Sequence, residues 1–199
     1  MVRKISYLTL LLAFLFPSFF ANTSQLAFAK GTDNVREACK VTRYQNLCMR
    51  SLAPFSNSAG RSPSKWARAG VSVTIGEAKN VQAYLSSFKR REHLRGRNKV
   101  ALLDCIETFA DAIDDLHRSL NVLRRLSRST FGTQMGDLNT WLSSALTNED
   151  TCLDGFQGKS DKKIRSLQNK VCKVYYVTSN TLALVNKLAT TGLGSISDP

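Results

Sequence analysis

The chain has few of the residues from which metal sites and catalytic sites are built. Only two of its 199 residues are histidines, His93 and His117, and its five cysteines form no C-x-x-C pair. The H-E-x-x-H, G-x-S-x-G and glycine-rich phosphate-loop motifs are also missing. A zinc site needs a compact set of such ligands, and many hydrolases and nucleotide-binding enzymes need these motifs. We therefore predict that the protein is not an enzyme and holds no metal or cofactor.

Long apolar runs are confined to the N-terminus. Arg3 and Lys4 precede an apolar run at residues 5–20, and small residues follow at Ala21 and, as an A-x-A match, at 27–29. This order is typical of a secretory signal peptide, and the run is short for a membrane span. Cleavage after Ala21 or after Ala29 fits the pattern. We predict a signal peptide at 1–29, one domain at 30–199, secretion, and no membrane attachment after cleavage.

Acidic residues are scarce beside basic ones. The chain has 28 Lys and Arg against 15 Asp and Glu, and residues 30–199 retain 26 basic and 15 acidic residues, a formal net charge of +11. Such a surface favours an acidic partner, namely nucleic acid, an anionic membrane or an acidic polysaccharide, unless the charge serves solubility alone. Secretion argues against nucleic acid, so we expect no nucleic-acid partner.

No alternating strand pattern competes with helical periodicity anywhere in the chain. Apolar residues recur at spacings of three and four over 64–94, 98 to about 126, a segment around Trp141, and 164–188. Around Trp141 the apolar positions Leu138, Leu142, Ala145 and Leu146 predict one buried face. A polar loop is expected at 127–136, and two short helical pieces at 34–53. Four long amphipathic helices with short connections predict an all-α, up-and-down four-helix bundle.

Five cysteines in a secreted chain predict disulfides with at least one thiol left over. Pairing four of the five allows fifteen arrangements, so the sequence alone does not select one. Proximity favours Cys39 with Cys48, a loop whose closure stabilises the fold by roughly 2.7 kcal/mol. A bond between Cys105 and Cys152 would close a longer loop, worth roughly 4 kcal/mol.

Carboxylates gather on the second long helix of this basic protein. Acidic residues occur there at Asp104, Glu107, Asp111, Asp114 and Asp115. Helical rotation places Glu107, Asp111 and Asp114 within about 60° of each other, nearly opposite the apolar stripe. Their mutual repulsion costs a few tenths of a kcal/mol per pair, which Arg118 partly offsets. This face is either an ordinary solvated surface or a docking strip for a partner.

The order of the cysteines, together with the segment at 140–156 (TWLSSALTNEDTCLDGF), resembles the plant invertase and pectin methylesterase inhibitor family over roughly 35–193. The resemblance implies a four-helix bundle with a disulfide-bonded N-terminal helical hairpin. It also implies the pairs Cys39–Cys48 and Cys105–Cys152, with Cys172 as a free thiol, and a location in the apoplast or cell wall.

The resemblance further implies a partner and a binding surface. Inhibitors of pectin methylesterase cover the pectin-binding cleft of the enzyme in a one-to-one complex, and we expect that function here. The contact positions of the family, placed relative to its third and fourth cysteines, fall on residues of matching type. These residues are Glu107, Asp111, Asp114, Thr151 and Asp154.

Three alternatives to this function stay open. Invertase inhibitors of the same family carry a Pro-Lys-Phe motif in the loop that corresponds to residues 127–136, whereas these residues contain no proline. This difference favours the esterase over cell-wall or vacuolar invertase as the target. The domain also occurs as the N-terminal region of longer esterases. Finally, the basic stretch at 89–99 is compatible with a wall protein that binds acidic pectin.

Overall fold

The computed structural model describes residues 32–158 and 161–192, and all regular elements in these ranges are helical. The signal peptide predicted at 1–29 lies outside the described residues. The elements are α1 (32–39), α2 (Gln45–Leu52), α3 (Ser56–Ala59), α4 (Pro63–Arg91), α5 (Gly96–Leu123), α6 (Phe131–Asp154) and α7 (Lys162–Thr191). Within the described ranges, none of the helices is long and apolar enough to cross a membrane.

The four long helices form the predicted up-and-down bundle. Each packs against its neighbour in sequence, and α4 packs against α7 to close the ring. The apolar stripes meet in one core, because side chains three and four positions apart lie on the same side of a helix. Fully buried members include Leu85 of α4, Phe109 of α5, Leu142 of α6 and Val171 of α7. The predicted fold class is confirmed.

Local capping signals explain where two of these helices begin. Ser62 precedes α4, and its Oγ accepts a hydrogen bond from the Lys65 amide at 3.3 Å, with Pro63 at the first helical position. Asp161 precedes α7 and accepts from the amides of Lys163 and Ile164 at 2.8 and 3.1 Å. Both caps satisfy backbone N–H groups that have no partner within the helix.

The polar loop predicted at 127–136 is wrong in length. A 3₁₀ turn occupies Arg128–Thr130, and α6 already begins at Phe131. Met135 is buried and extends the stripe of Leu138 and Leu142 by one turn, which stabilises this first part of the helix. Gln134 also holds the connection, since its side chain accepts from the Ser127 amide at 2.9 Å and donates to the Arg125 carbonyl at 2.8 Å. Trp141 and Leu146, expected on the buried face, are only half-buried.

The N-terminal segment forms a hairpin on the outside of α4 and α7. The disulfide Cys39–Cys48 links α1 to α2 with a Cα–Cα distance of 5.8 Å. A second apolar cluster packs the hairpin onto Trp66 of α4 and Leu184 of α7. Asn180 of α7 binds the backbone of Tyr44 on both sides, accepting from its N–H and donating to its C=O at 3.0 Å each.

Candidate partner-binding surface

The three carboxylates predicted to face solvent on α5 do so. Glu107, Asp111 and Asp114 are exposed, while Cys105 and Phe109 on the opposite side of the helix are fully buried. Within the described part of the chain, none of the three makes a salt bridge or a side-chain hydrogen bond. Their oxygen atoms are therefore available as hydrogen-bond acceptors for a partner.

The two predicted side chains on α6 are also exposed, near the end of that helix. Thr151 donates its hydroxyl hydrogen to the Thr147 carbonyl at 2.8 Å, so its oxygen can still accept a hydrogen bond. Asp154 accepts from Gln157 Nε2 at 2.5 Å through one carboxylate oxygen, and its other oxygen has no partner among the described residues.

The second disulfide holds the two helices together beside these residues. The Cα atoms of Cys105 and Cys152 are 4.4 Å apart. The close approach continues at Gly155, where an added Cβ would lie 3.2 Å from the Cβ of Ala101. Thr151 and Asp154 flank Cys152, and Asp114 lies about 13 Å further along α5 at 1.5 Å per residue. Thr151 and Asp154 are therefore exposed on α6 beside the disulfide, while Glu107, Asp111 and Asp114 are exposed on the side of α5 opposite Cys105.

One further carboxylate belongs to this surface. Asp104 is exposed and lies seven residues before Asp111, so the two side chains leave α5 within about 20° of each other. The i, i+7 spacing was the sequence signal for it, although Asp104 was not included in the predicted strip. Asp115, by contrast, is buried and forms a salt bridge of 3.7 Å with Arg118. Arg118, which we expected to offset part of the repulsion within the strip, therefore pairs with a carboxylate outside it.

One carboxyl group on α6 is buried, and the sequence did not lead us to predict it. Glu149 is fully buried, and its Oε1 lies 2.8 Å from Thr178 Oγ1 of α7. Oε2 has no partner in the described residues. Burial raises the pKa of Glu149 from 4.5 to about 8, a shift that the Thr178 hydrogen bond opposes. Its spacing from Ala145 and Cys152, four and three residues, placed it on the buried stripe.

The free thiol and the two histidines differ in their exposure to solvent. Burial raises the pKa of the half-buried Cys172 thiol, which disfavours the reactive thiolate. His93 is exposed and His117 is half-buried. Within the described residues, no group of three His, Cys, Asp or Glu side chains could hold a metal ion.

The chain is similar in sequence to proteins that are already known. Residues 33–184 match the profile of a family described as plant invertase/pectin methylesterase inhibitor. The chain is 47% identical over 161 residues to Pectinesterase inhibitor 6 of Arabidopsis thaliana, and the match covers 80% of this chain and 77% of that protein. It is 33% identical over 165 residues to Pectinesterase/pectinesterase inhibitor 3 of the same plant, a match covering 81% of this chain but 28% of that longer protein.

Solved structures share the fold. The bundle superposes on a crystal structure of mutant form A of a pectin methylesterase inhibitor from Arabidopsis with a TM-score of 0.60 and 21% sequence identity. The match covers 74% of this chain and 92% of that one. At this level of identity the similarity concerns the arrangement of helices.

Proposed function

Because this chain belongs to the plant invertase/pectin methylesterase inhibitor family, we propose that it inhibits a plant pectin methylesterase in the cell wall. In this proposal it forms a one-to-one complex that covers the pectin-binding cleft of the enzyme. A family of inhibitors needs no catalytic residues of its own, which agrees with the motifs that the sequence lacks. The signal peptide proposed at 1–29 would direct the protein to the apoplast.

The observation that carries this proposal is the set of exposed polar side chains on α5 and α6. Its contact residues are the exposed side chains of Glu107, Asp111, Asp114, Thr151 and Asp154. Unpaired carboxylates can accept hydrogen bonds from Lys, Arg or backbone N–H groups of a partner without first breaking a salt bridge. The disulfide between Cys105 and Cys152 fixes the two helices before binding, which lowers the entropic cost of forming the complex. Inhibition then follows from steric exclusion of pectin.

The target is an esterase rather than an invertase in this proposal. The connection between α5 and α6 contains no proline, and it ends in the 3₁₀ turn at Arg128–Thr130 that precedes the hydrogen-bonded Gln134. It therefore offers no Pro-Lys-Phe segment that could enter an invertase site. Purified protein should inhibit a plant pectin methylesterase at stoichiometric concentration and leave acid invertase active. Inhibition of invertase without inhibition of the esterase would reverse the assignment.

Substitution of two carboxylates tests the surface itself. Asp111→Ala with Asp114→Ala removes two charge-assisted contacts of ~1–2 kcal/mol each, so affinity for the esterase should fall roughly tenfold to a thousandfold. The matched control is Asp33→Ala with Glu37→Ala on α1, which removes the same charge from exposed side chains elsewhere. The control should bind as the unmodified protein does. Unchanged affinity of the α5 variant, with its helical structure intact, would refute the proposed contacts.

Binding of acidic pectin is a second candidate, favoured by charge. The predicted mature chain carries a net charge of +11, and the stretch at 89–99 contributes six Lys and Arg residues with one acidic residue. The polymer on which the esterase acts becomes anionic as its esters are removed. Such a surface would retain the inhibitor where its target works.

A further inference from the structure

We propose that one end of the bundle, termed the basic end, is a composite binding site for de-esterified pectin, a linear polyuronate. This inference rests on the proposed function, because that function places the protein beside this polymer. Two segments that are distant in sequence build the site. Its basic members are Lys89, Arg90, Arg91, Arg95, Arg97, Lys99, Lys162, Lys163 and Arg165.

The fold joins these two segments at a single contact. In an antiparallel bundle, the end of α4 and the beginnings of α5 and α7 lie at the same end. Lys163 Nζ of α7 is 2.7 Å from Glu92 Oε2, just after the last residue of α4. The stretch at 89–99 therefore gains three basic neighbours that the sequence places more than 60 residues away.

The two basic segments contribute little negative charge of their own, although Asp154 at the end of α6 lies at the same end of the bundle. All nine basic side chains are exposed, and only Lys163 among them forms a salt bridge within the described ranges. The two acidic residues of the same segments are already engaged, Glu92 with Lys163 and Asp161 as the cap of α7. The remaining ammonium and guanidinium groups can pair with the carboxylates of a polyanion, and they repel one another until they do.

A cleft at the same end has the chemistry to seat a sugar acid. Its volume is about 290 Å³, and its lining combines the basic or titratable side chains Lys89, His93 and Lys99 with Leu94, Leu102 and Leu103. Glu92 also lines the cleft, and its carboxylate is paired with Lys163. Apolar side chains can pack against the C–H face of a pyranose ring while the basic groups bind its carboxylate. The N-terminus of α5 also lacks a side-chain cap and an acidic residue in its first turn. Its dipole therefore adds to the attraction for anions.

A polyuronate fits this surface better than a membrane does. A membrane-surface helix presents an apolar face to lipid opposite its basic face. Here the apolar faces of α4 and α5 are buried within the bundle core, as shown by Leu85, Phe88 and Leu102. What remains exposed at the basic end is dense positive charge around a small cleft, with the two apolar side chains Val100 and Leu103. Two separate side chains do not make the continuous apolar face that a lipid surface needs, whereas the charge suits a flexible chain with a carboxylate on each repeating unit.

The test is binding of the purified full-length mature protein to immobilised polygalacturonate. We expect retention that weakens as salt or the methyl-ester content of the polymer rises. The variant Lys89→Gln, Arg90→Gln, Arg91→Gln should bind at least tenfold more weakly. Because the site is composite, Lys162→Gln, Lys163→Gln, Arg165→Gln should weaken binding to a similar degree. The matched control is Arg124→Gln, Arg125→Gln, Arg128→Gln at the other end of the bundle, which should change affinity by less than threefold.

Several outcomes would overturn the inference. Equal weakening by the control would mean that net charge, rather than a site, governs binding. Unchanged binding of the α7 variant would refute the composite site. Preference for phosphatidylserine vesicles without retention on polygalacturonate would assign the surface to membranes.

A separate measurement distinguishes this inference from the proposed function. Complex formation with the esterase is measured without pectin, where the basic-end variants should bind normally. In the same experiments, Asp111→Ala with Asp114→Ala should lose the esterase but keep polygalacturonate. Failure of one binding activity then leaves the other independently tested.

Discussion

The buried carboxyl of Glu149 should make the stability of the bundle fall as pH rises. Its pKa is about 8 in the fold, against 4.5 for an unperturbed Glu side chain. Between these values the folded state holds a proton that the unfolded state has released. Because the unfolded state then binds fewer protons, the free energy of unfolding decreases with increasing pH. The contribution is fully present below pH 4.5 and is lost as pH rises through about 8.

The size of this effect follows from the two pKa values. The slope approaches 1.36 kcal/mol per pH unit where only the unfolded state is ionised, so raising pH from 5 to 7 should cost roughly 2–3 kcal/mol. For a domain of this size that corresponds to a fall in Tm of about 5–10 °C. The hydrogen bonds agree with a protonated carboxyl. Thr178 has one hydroxyl hydrogen for Glu149 Oε1 and the Val174 carbonyl, at 2.8 and 3.1 Å, and a protonated Glu149 supplies a second.

Thermal or urea unfolding at pH 5, 6, 7 and 8 measures this dependence. Glu149→Gln and Glu149→Met cannot ionise, so their stability should change less steeply over this range than that of the unmodified protein. Their absolute stabilities are not diagnostic, because Gln leaves a buried NH₂ group unpaired. The control is Glu37→Gln, since the Lys40 ammonium lowers the pKa of this exposed carboxyl and gives a pH dependence of opposite sign. Parallel pH profiles for Glu149→Gln and the unmodified protein would refute the reasoning.

Three further predictions concern the hairpin, the thiols and helix packing. Asn180→Ala unpairs both backbone groups of Tyr44, so it should destabilise the fold by about 2–4 kcal/mol and reduce amide protection in α1 and α2; unchanged hydrogen exchange there would contradict this role. Peptide mapping should find Cys39–Cys48 and Cys105–Cys152 bridged. The thiol of Cys172 should react with iodoacetamide more slowly than the thiol of glutathione does, because its pKa is raised; rapid labelling would instead show an accessible thiolate. Within α4, Gly76→Ala should raise stability by about 0.5–1 kcal/mol, because nothing lies within 4 Å of the added Cβ. Gly70→Ala should lower stability, because the added Cβ would lie 3.0 Å from Thr181 Oγ1. Calorimetry that shows the same sign for both variants would contradict the packing.

The sequence by itself determined the helices and their inward faces. Leu102, Phe109 and Leu116 recur at helical spacing, and the structure buries all three. The same rotation placed Glu107, Asp111 and Asp114 on the solvent side, where they lie. Such predictions succeed because the period of a helix is a local property of the chain, independent of which helix packs beside it.

The order of the cysteines was equally local, but their pairing was not. Fifteen arrangements of four paired thiols agreed with the sequence, and the resemblance to a family selected one of them. In the structure the antiparallel register of α5 and α6 brings Cys105 and Cys152 to a Cα–Cα distance of 4.4 Å. That register depends on the lengths of both helices and of their connection, and the predicted connection was too long.

Tertiary structure alone decided which polar residues are buried and which surfaces merge. Glu149 occupies a position of the buried stripe that composition would assign to solvent, and its environment is set by α7. Asn180 and Tyr44 are 136 residues apart in the sequence. Their hydrogen bonds form only when the N-terminal hairpin docks on α7. Lys163 and Glu92, which form a salt bridge, are 71 residues apart in the sequence. These contacts depend on the relative rotation and register of whole helices, which no local period of the chain encodes.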